Sequence, residues 1–280
     1  MGKEKQKKIF FKVIGRKDEC LFHEERLLER DIAKSILTCP TNQRDISYRE
    51  GYEKLHKFLL SVTEGQSIYR GANLQRALWK QFLFSQIVGK NQRALEVGCG
   101  EGLLSIALSK NGNIVTGTDV SDICISIANR NKSLFSAENV NFAVMSASKL
   151  DFPKNTFDWV ISVDLFEHLH PQDAISHVYE AARVLKPGGK YLLVTPNASV
   201  GMHAGNIHIK EYNCKEIMEL FSHAGFSSKS PLIYYAWPFS FLADIKVKLF
   251  FQRFLNNQSF LYILMCLDPI ILVATRHGYA

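Results

Sequence analysis

Three glycines alternate with other residues at Gly98, Gly100 and Gly102, directly after the mostly apolar run 94–97. The run predicts a short buried strand, and residues 103–110 have the pattern of a helix. Glycine permits backbone angles that other residues avoid, and it leaves room where a ligand must approach the backbone closely. A helix that begins at such a turn offers unpaired N–H groups at the same place. We therefore predict a ligand-binding turn at this point of the chain.

Two acidic residues flank this turn. Glu96 lies two residues before Gly98, and Asp119 ends the next predicted strand. A carboxylate can accept hydrogen bonds from two hydroxyls at once, which suits the ribose diol of a nucleoside cofactor. Nicotinamide enzymes have the spacing G-x-G-x-x-G at this turn, whereas here the spacing is G-x-G-x-G. The acid fits either class of cofactor, but the glycine spacing disfavours nicotinamide.

Strands and helices alternate from residue 93 onward, a pattern that predicts an α/β fold with a doubly wound, mostly parallel sheet. Ligands of such sheets bind at the carboxyl ends of the strands, where the glycine turn and Asp119 are both expected. Seven strands are predicted, at 93–97, 113–118, 140–145, 158–163, 191–195, 232–236 and 270–274.

Two further regions surround this pattern. Residues 1–90 are predicted to be an N-terminal extension with a helical cap, and residues 91–280 the main domain. An apolar segment at 237–268 lies between the last two strands, with Lys246 and Lys248 interspersed among aromatic and aliphatic residues. We interpret it as a helical cover over a ligand crevice, which favours a lipophilic ligand. The alternative is peripheral contact with a membrane surface.

Composition and charge exclude several classes of protein. The net charge is +7, but residues 1–17 carry seven basic residues and one acidic residue, so the rest of the chain is nearly neutral. Charge therefore predicts no DNA partner and disfavours RNA. The six cysteines include no C-x-x-C pair, which argues against a zinc knuckle and a disulfide scaffold and favours a cytoplasmic location. No uninterrupted apolar stretch reaches membrane-spanning length.

Five motifs in order resemble those of class I S-adenosylmethionine (SAM) methyltransferases, nearest in style to the ubiquinone-pathway O-methyltransferases. The similarity covers about residues 90–230 and rests on 96–102, Asp119, 157–162, 167–169 and 185–194. It implies a seven-stranded sheet with the order 3-2-1-4-5-7-6, in which the last strand is antiparallel. It also implies that SAM is the cofactor.

The same resemblance implies how the cofactor is held. The glycine turn would lie under the methionine part of SAM, Asp119 on the ribose hydroxyls, and Val120 against adenine. Family members often have Asp-Ala after the third strand, with the acid near the adenine amine. This chain has Ser146 and Ala147 there, so a hydroxyl or the backbone would make that contact. The implied cofactor site comprises Glu96, Gly98, Cys99, Gly100, Gly102, Asp119, Val120, Ser146, Ala147, Ser162 and Val163.

Candidate catalytic groups follow the fourth predicted strand. SAM already carries an activated methyl group, so the enzyme must align a nucleophile and, for a hydroxyl, remove its proton. His168, beside Glu167, is the first candidate for the base because its reference pKa is near neutral, and His208 is the second. The run also resembles the magnesium site of ubiquinone-pathway enzymes and the similar run of small-RNA 2′-O-methyltransferases. In that alternative Asp164, Glu167, His168 and His208 would bind Mg²⁺, but we favour the site without a metal.

These observations predict a SAM-dependent methyltransferase that transfers a methyl group to a small-molecule acceptor at a hydroxyl oxygen. Asn197, His208 and Tyr212 are expected to line the acceptor side. One alternative is metal-assisted 2′-O-methylation of an RNA end. Another is a SAM-binding protein without catalytic activity that serves as a partner of other proteins.

Overall fold

The computed structural model describes residues 19–62, 84–85, 87–200, 207–227, 232–233 and 269–277. Its strands are β1 (Arg93–Val97), β2 (Ile114–Asp119), β3 (Val140–Val144), β4 (Phe157–Val163), β5 (Leu185–Pro196), β6 (Phe226–Ser227), β7 (Leu232–Ile233) and β8 (Pro269–Arg276). Its helices are α1 (Glu19–Thr38), α2 (Arg44–Val62), α3 (Leu103–Lys110), α4 (Asp122–Leu134), α5 (Pro171–Val184) and α6 (Cys214–His223).

All eight strands belong to one mixed sheet with the order β3-β2-β1-β4-β5-β8-β6, and β7 also pairs with β8. Strands β1 to β5 are parallel, whereas β8 runs antiparallel to β5. The short β6 pairs with Thr275 and Arg276, and β7 pairs with Ile270 and Ile271. Together β6 and β7 therefore take the place of one strand along β8. The predicted order 3-2-1-4-5-7-6, with the last strand antiparallel, is confirmed.

The sheet has a hydrophobic core on each face, as the alternation of side chains along a strand requires. On one face Leu95 and Val97 of β1 join buried residues of α1, α2, α5 and α6. On the other face Ala94 joins Leu104 and Leu108 of α3. Helices on both faces make this the doubly wound arrangement that the sequence predicted.

Strand β5 begins six residues earlier than the predicted strand 191–195. Leu185 pairs with Phe157 of β4, and after an irregularity Lys190 pairs with Trp159. The intervening residues form a bulge in which Gly188 has a φ of +76°. The glycine-rich residues 186–189 therefore form an irregular part of β5 and do not separate this strand from α5. Helix α5 starts at Pro171, and the first position of a helix suits a residue without an N–H group.

Several predicted features lie outside the described residues, in particular residues 1–18 and the whole apolar segment 237–268. The division into 1–90 and 91–280 therefore stays a prediction. The described part of the N-terminal region is helical, and it packs against the main domain through α2 and α4. Among the helices that the structure describes, none combines the length and the apolar character needed to cross a membrane.

Candidate active site

The glycine turn connects β1 to α3, and hydrogen bonds hold it against the end of β2. The N–H groups of Gly98 and Cys99 both donate to the carbonyl of Thr118, at 2.7 and 2.9 Å. All three glycines have φ values between +51° and +75°. A Cβ atom at Gly102 would lie only 2.5 Å from Cζ of Phe142. Both backbone conformation and close packing therefore require glycine here.

Asp119 joins the end of β2 to this turn. Its Oδ2 accepts a hydrogen bond from the N–H of Gly100 at 2.9 Å, and its Oδ1 accepts one from the N–H of Ser121 at 3.0 Å. Burial raises the pKa of Asp119, and these N–H groups oppose the rise. The carboxylate is thus fixed at the carboxyl edge of the sheet.

Glu96 lies inside the fold, behind the glycine turn. It is buried in β1, and its Oε2 accepts a hydrogen bond from Oγ of Ser105 in α3 at 2.5 Å. Burial raises the pKa of Glu96 to about 8, although the bonds from Ser105 lower it. The side chain therefore ties the strand before the turn to the helix after it.

The segment after β3 is connected to both the N-terminal helices and α5. Oγ of Ser146 donates to Oδ1 of Asp45 in α2 at 2.7 Å. The carbonyl of Ala147 accepts a hydrogen bond from Nδ1 of His177 at 3.0 Å. Val120 is half-buried and packs against the core on the face that α2 and α5 cover. The hydroxyl predicted near adenine therefore has an acidic neighbour supplied by a distant helix.

Ser162 belongs to a buried chain of hydrogen bonds rather than to an open surface. Its Oγ is 2.7 Å from the hydroxyl of Tyr191, which is 2.5 Å from Nε2 of His177. Burial lowers the pKa of His177 to about 4, so the ring is neutral at pH 7 and Nε2 accepts from Tyr191. Val163, the next residue, is half-buried at the end of β4.

A short helical turn, Phe166–His168, follows β4 and presents Glu167 inside the fold. Oε2 of Glu167 accepts a hydrogen bond from Oγ1 of Thr195 at 3.0 Å, and its carbonyl accepts from the N–H of Ile209 at 2.8 Å. Burial, together with the charge of Asp164, raises the pKa of Glu167 to about 7. The backbone of Glu167 thereby holds the segment that carries His208.

The two candidate bases lie edge to face, with ring centroids 5.0 Å apart. Nδ1 of His168 is 3.5 Å from the carbonyl of Ile207, and burial lowers the pKa of the ring. Nδ1 of His208 is 2.6 Å from Oε1 of Glu211. His208 therefore has a carboxylate partner that orients its ring, in a short and direct contact.

Glu167, His168 and His208 also form a group that could hold a metal ion, since one ligand atom from each lies within 4.8 Å of the others. Asp164, the fourth ligand in the Mg²⁺ alternative, is not in this group of described residues. Two imidazoles and one carboxylate are a donor set typical of Zn²⁺ or a related transition metal, whereas Mg²⁺ prefers oxygen. The residues present therefore fit a transition metal better than the Mg²⁺ of the alternative that the sequence left open.

Sequence reasoning missed three residues of this site: Glu211 beside His208, Asp45 beside Ser146, and Tyr52 beside His168. The spacing of three residues between His208 and Glu211 was the only available signal. Asp45 and Tyr52 are about a hundred residues from their neighbours. The predicted acceptor residues Asn197 and Tyr212 lie together, joined by an isolated β-bridge.

Comparison with known proteins identifies the class of fold. Residues 94–189 match the family model described as "Methyltransferase domain". A SAM-dependent methyltransferase from Methanosarcina mazei superposes with a TM-score of 0.52 and 17% identity, covering 70% of this chain and 98% of the other. The [4+2]-cyclase SpnF superposes with a TM-score of 0.60 and 20% identity, covering 86% and 98%. At these identities the two structures show the fold alone.

The chain therefore contains a stretch that matches a methyltransferase domain, at residues 94–189, and its described residues have the fold of the superposed methyltransferase. Among curated proteins it is similar to the ubiquinone biosynthesis O-methyltransferase of Coxiella burnetii (strain Dugway 5J108-111), with 35% identity over 133 residues. That alignment covers 47% of this chain and 55% of the relative. The chain spans about half the length of the curated relatives it matches.

Proposed function

We propose that this protein transfers the methyl group of SAM to a hydroxyl oxygen of a small-molecule acceptor. The observation that carries the proposal is the shared position of two units at the carboxyl edge of the sheet. The glycine turn with Asp119 follows β1 and β2, and His168 with His208 lies after β4. A donor held by the first unit would bring its methyl group toward the second. The name of the curated relatives supports oxygen as the atom methylated.

In this proposal Asp119 binds the ribose hydroxyls of SAM while keeping its present hydrogen bonds. Each carboxylate oxygen has two lone pairs, and each now accepts one N–H, from Gly100 or Ser121. Glu96 and Ser162 support the donor from behind, because both side chains are buried and bonded within the fold. The turn glycines offer the backbone surface against which the methionine part would lie.

We place His208 ahead of His168 as the general base. Glu211 accepts from Nδ1–H of His208, which leaves Nε2 as the nitrogen that takes the proton of the acceptor hydroxyl. The carboxylate would also stabilise the imidazolium that forms. Burial instead disfavours the charged form of His168. His168 would then shape the site through its edge-to-face contact with His208.

The test has two stages, because donor binding can be measured before the acceptor is known. Calorimetry with S-adenosylhomocysteine (SAH) should show saturable one-to-one binding to the folded protein. Transfer from tritiated SAM should then be measured on phenols and catechols with short or isoprenoid side chains. We expect transfer to a hydroxyl and faster turnover with an apolar side chain. SAH binding without transfer to any hydroxyl acceptor would favour a non-catalytic role, and no SAH binding would contradict the methyltransferase.

Metal-assisted methylation, including that of an RNA end, is the second candidate, and the group of Glu167, His168 and His208 favours it. A metal held by these side chains would supply Lewis-acid polarisation of the acceptor hydroxyl. The experiment is dialysis against a chelator, followed by transfer assays with Zn²⁺, Mn²⁺ or Mg²⁺ added back, on small RNA and on the phenolic acceptors. Full turnover on a phenol after metal removal would exclude this candidate.

A further inference from the structure

Helix α2 carries four polar residues on one face, at intervals of four: Arg44, Tyr48, Tyr52 and His56. At one end of this row Arg44 bonds to α5, and at the other end His56 bonds to the residue that caps α4. The row therefore crosses the carboxyl edge of the sheet, from the helix after the His168 turn to the helix after Asp119.

The first two residues of the row are bonded to α5 and the loop before it, although Nε of Arg44 is buried and has no partner among the described residues. Nη1 of Arg44 donates to Oδ1 of Asp173 at 2.7 Å, and the hydroxyl of Tyr48 donates to Oδ2 of the same residue at 3.1 Å. The Tyr48 hydroxyl also accepts from the N–H of His170 at 2.6 Å. These bonds hold α2 against Asp173 and against His170, which lies two residues after His168.

The last residue of the row, His56, lies close to Asp119, the acid that we propose binds the ribose of SAM. Nδ1 of His56 is 3.0 Å from Oγ of Ser121, whose N–H donates to Asp119. Burial lowers the pKa of His56 to about 4, so the ring is neutral at pH 7. The row therefore ends in direct contact with the residue that positions Asp119.

Tyr52 lies between these two anchors and has a single polar atom in its side chain. Its hydroxyl oxygen is buried and has no hydrogen-bond partner among the residues that the structure describes. Its ring meets His168 edge to face with a centroid distance of 6.1 Å, and the ring of His56 is 5.9 Å away. The hydroxyl is thus held between the Asp119 side and the His168 side of the candidate active site.

The electrostatic surroundings keep this hydroxyl protonated. Burial raises the pKa of Tyr52 well above its usual value, and the nearby carboxylates of Glu167 and Asp119 act in the same direction. A neutral phenol has one O–H to donate. Because a buried donor without a partner costs folding free energy, its presence at a ligand site indicates that a ligand supplies the acceptor.

We propose that Tyr52 is a binding residue for the methyl donor and that its O–H donates to the carboxylate at the amino-acid end of SAM. This rests on the proposed function, in which the donor extends from its ribose at Asp119 toward methyl transfer near His168. Tyr52 lies between these residues, and His56 and Ser121 link it to Asp119. A ligand carboxylate at this point would satisfy the buried hydroxyl.

The experiment compares two ligands that differ at the amino-acid end, SAH and 5′-methylthioadenosine, in the wild type and in Tyr52→Phe. We expect Tyr52→Phe to weaken SAH binding about 10- to 150-fold, the usual value of one hydrogen bond to a charged group. Binding of 5′-methylthioadenosine, which lacks the amino-acid end, should stay unchanged. The melting temperature without ligand should not fall, because the hydroxyl that is removed has no partner in the described structure.

Tyr179→Phe is the matched control, since Tyr179 is 49% exposed on α5 and bonds only weakly to the carbonyl of His223. It should bind both ligands as the wild type does. Unchanged SAH binding in Tyr52→Phe would overturn the proposal, as would equal weakening of both ligands. A lower melting temperature would also overturn it, because the hydroxyl would then have a partner within the protein. If the wild type bound no SAH, the proposed function itself would fail.

Discussion

Nδ1 of His208 donates a hydrogen bond to Oε1 of Glu211 over 2.6 Å, and both side chains are largely buried. This contact fixes which ring nitrogen carries the proton and which one can receive another. Among the described residues His168 has no comparably close partner, since its Nδ1 is 3.5 Å from the carbonyl of Ile207 and its Nε2 is 3.9 Å from Oε1 of Glu167. The pair of His208 and Glu211 is therefore the strongest candidate for proton removal in the described part of the chain.

The first prediction concerns this pair. His208→Ala should lower kcat for transfer to a hydroxyl by about 10²- to 10⁴-fold, the usual effect of losing a positioned base. Glu211→Gln should have a smaller effect of the same kind, because it removes only the orienting charge. SAH affinity should stay unchanged in both variants. His223→Ala, at the exposed end of α6, is the control, and full activity of His208→Ala would refute the base.

The second prediction concerns Asp119, the acid that we propose binds the ribose of SAM. Asp119→Ala should weaken SAH binding by about 10- to 150-fold, because hydrogen bonds to a charged group are worth about 1.5–3 kcal/mol. The comparison is Asp122→Ala, since Asp122 lies three residues later in the first turn of α4. Calorimetric titration of both variants with SAH measures the difference. Equal affinities would show that Asp119 only holds the glycine turn.

The third prediction separates the two reasons for glycine. Gly102→Ala should destabilise the fold by about 2–5 kcal/mol, because strained backbone and a clash with Phe142 both contribute. Gly188 has nearly the same φ, +76°, but a Cβ there would meet nothing within 4 Å. Gly188→Ala should therefore cost only about 1–2 kcal/mol of backbone strain. Urea denaturation measures both, and equal costs would exclude the packing explanation.

The fourth prediction concerns acid sensitivity. Burial lowers the pKa of His177 to about 4, whereas an exposed histidine has a pKa near 6.5. Between pH 6.5 and 4 this histidine is protonated in the unfolded state but neutral in the folded state. Its contribution to the free energy of unfolding is therefore complete above pH 6.5 and is lost as pH falls toward 4. The loss is of the order of 3 kcal/mol. Melting curves should show that His177→Gln is less stable at pH 7 but less sensitive to acid than the wild type. An unchanged slope between pH 6.5 and 4 would contradict this.

Much of the fold could be predicted because its signals are local. Strand and helix periods, the glycine turn and Asp119 each depend on a few neighbouring residues, and together they defined the class of sheet. The bounds of β5 could not be predicted, because pairing of Leu185 with Phe157 extends the strand through a glycine-rich run that alone indicates a stop.

The candidate site divides in the same way. The sequence by itself determined that Asp119 and the glycines belong to one turn, because a strand–turn–helix unit brings them together whatever surrounds it. Only the tertiary structure decided that Ser162 faces the core and that Tyr52 meets His168, 116 residues later. Such contacts depend on how whole helices pack, and a helix pattern specifies an apolar face without naming its partner.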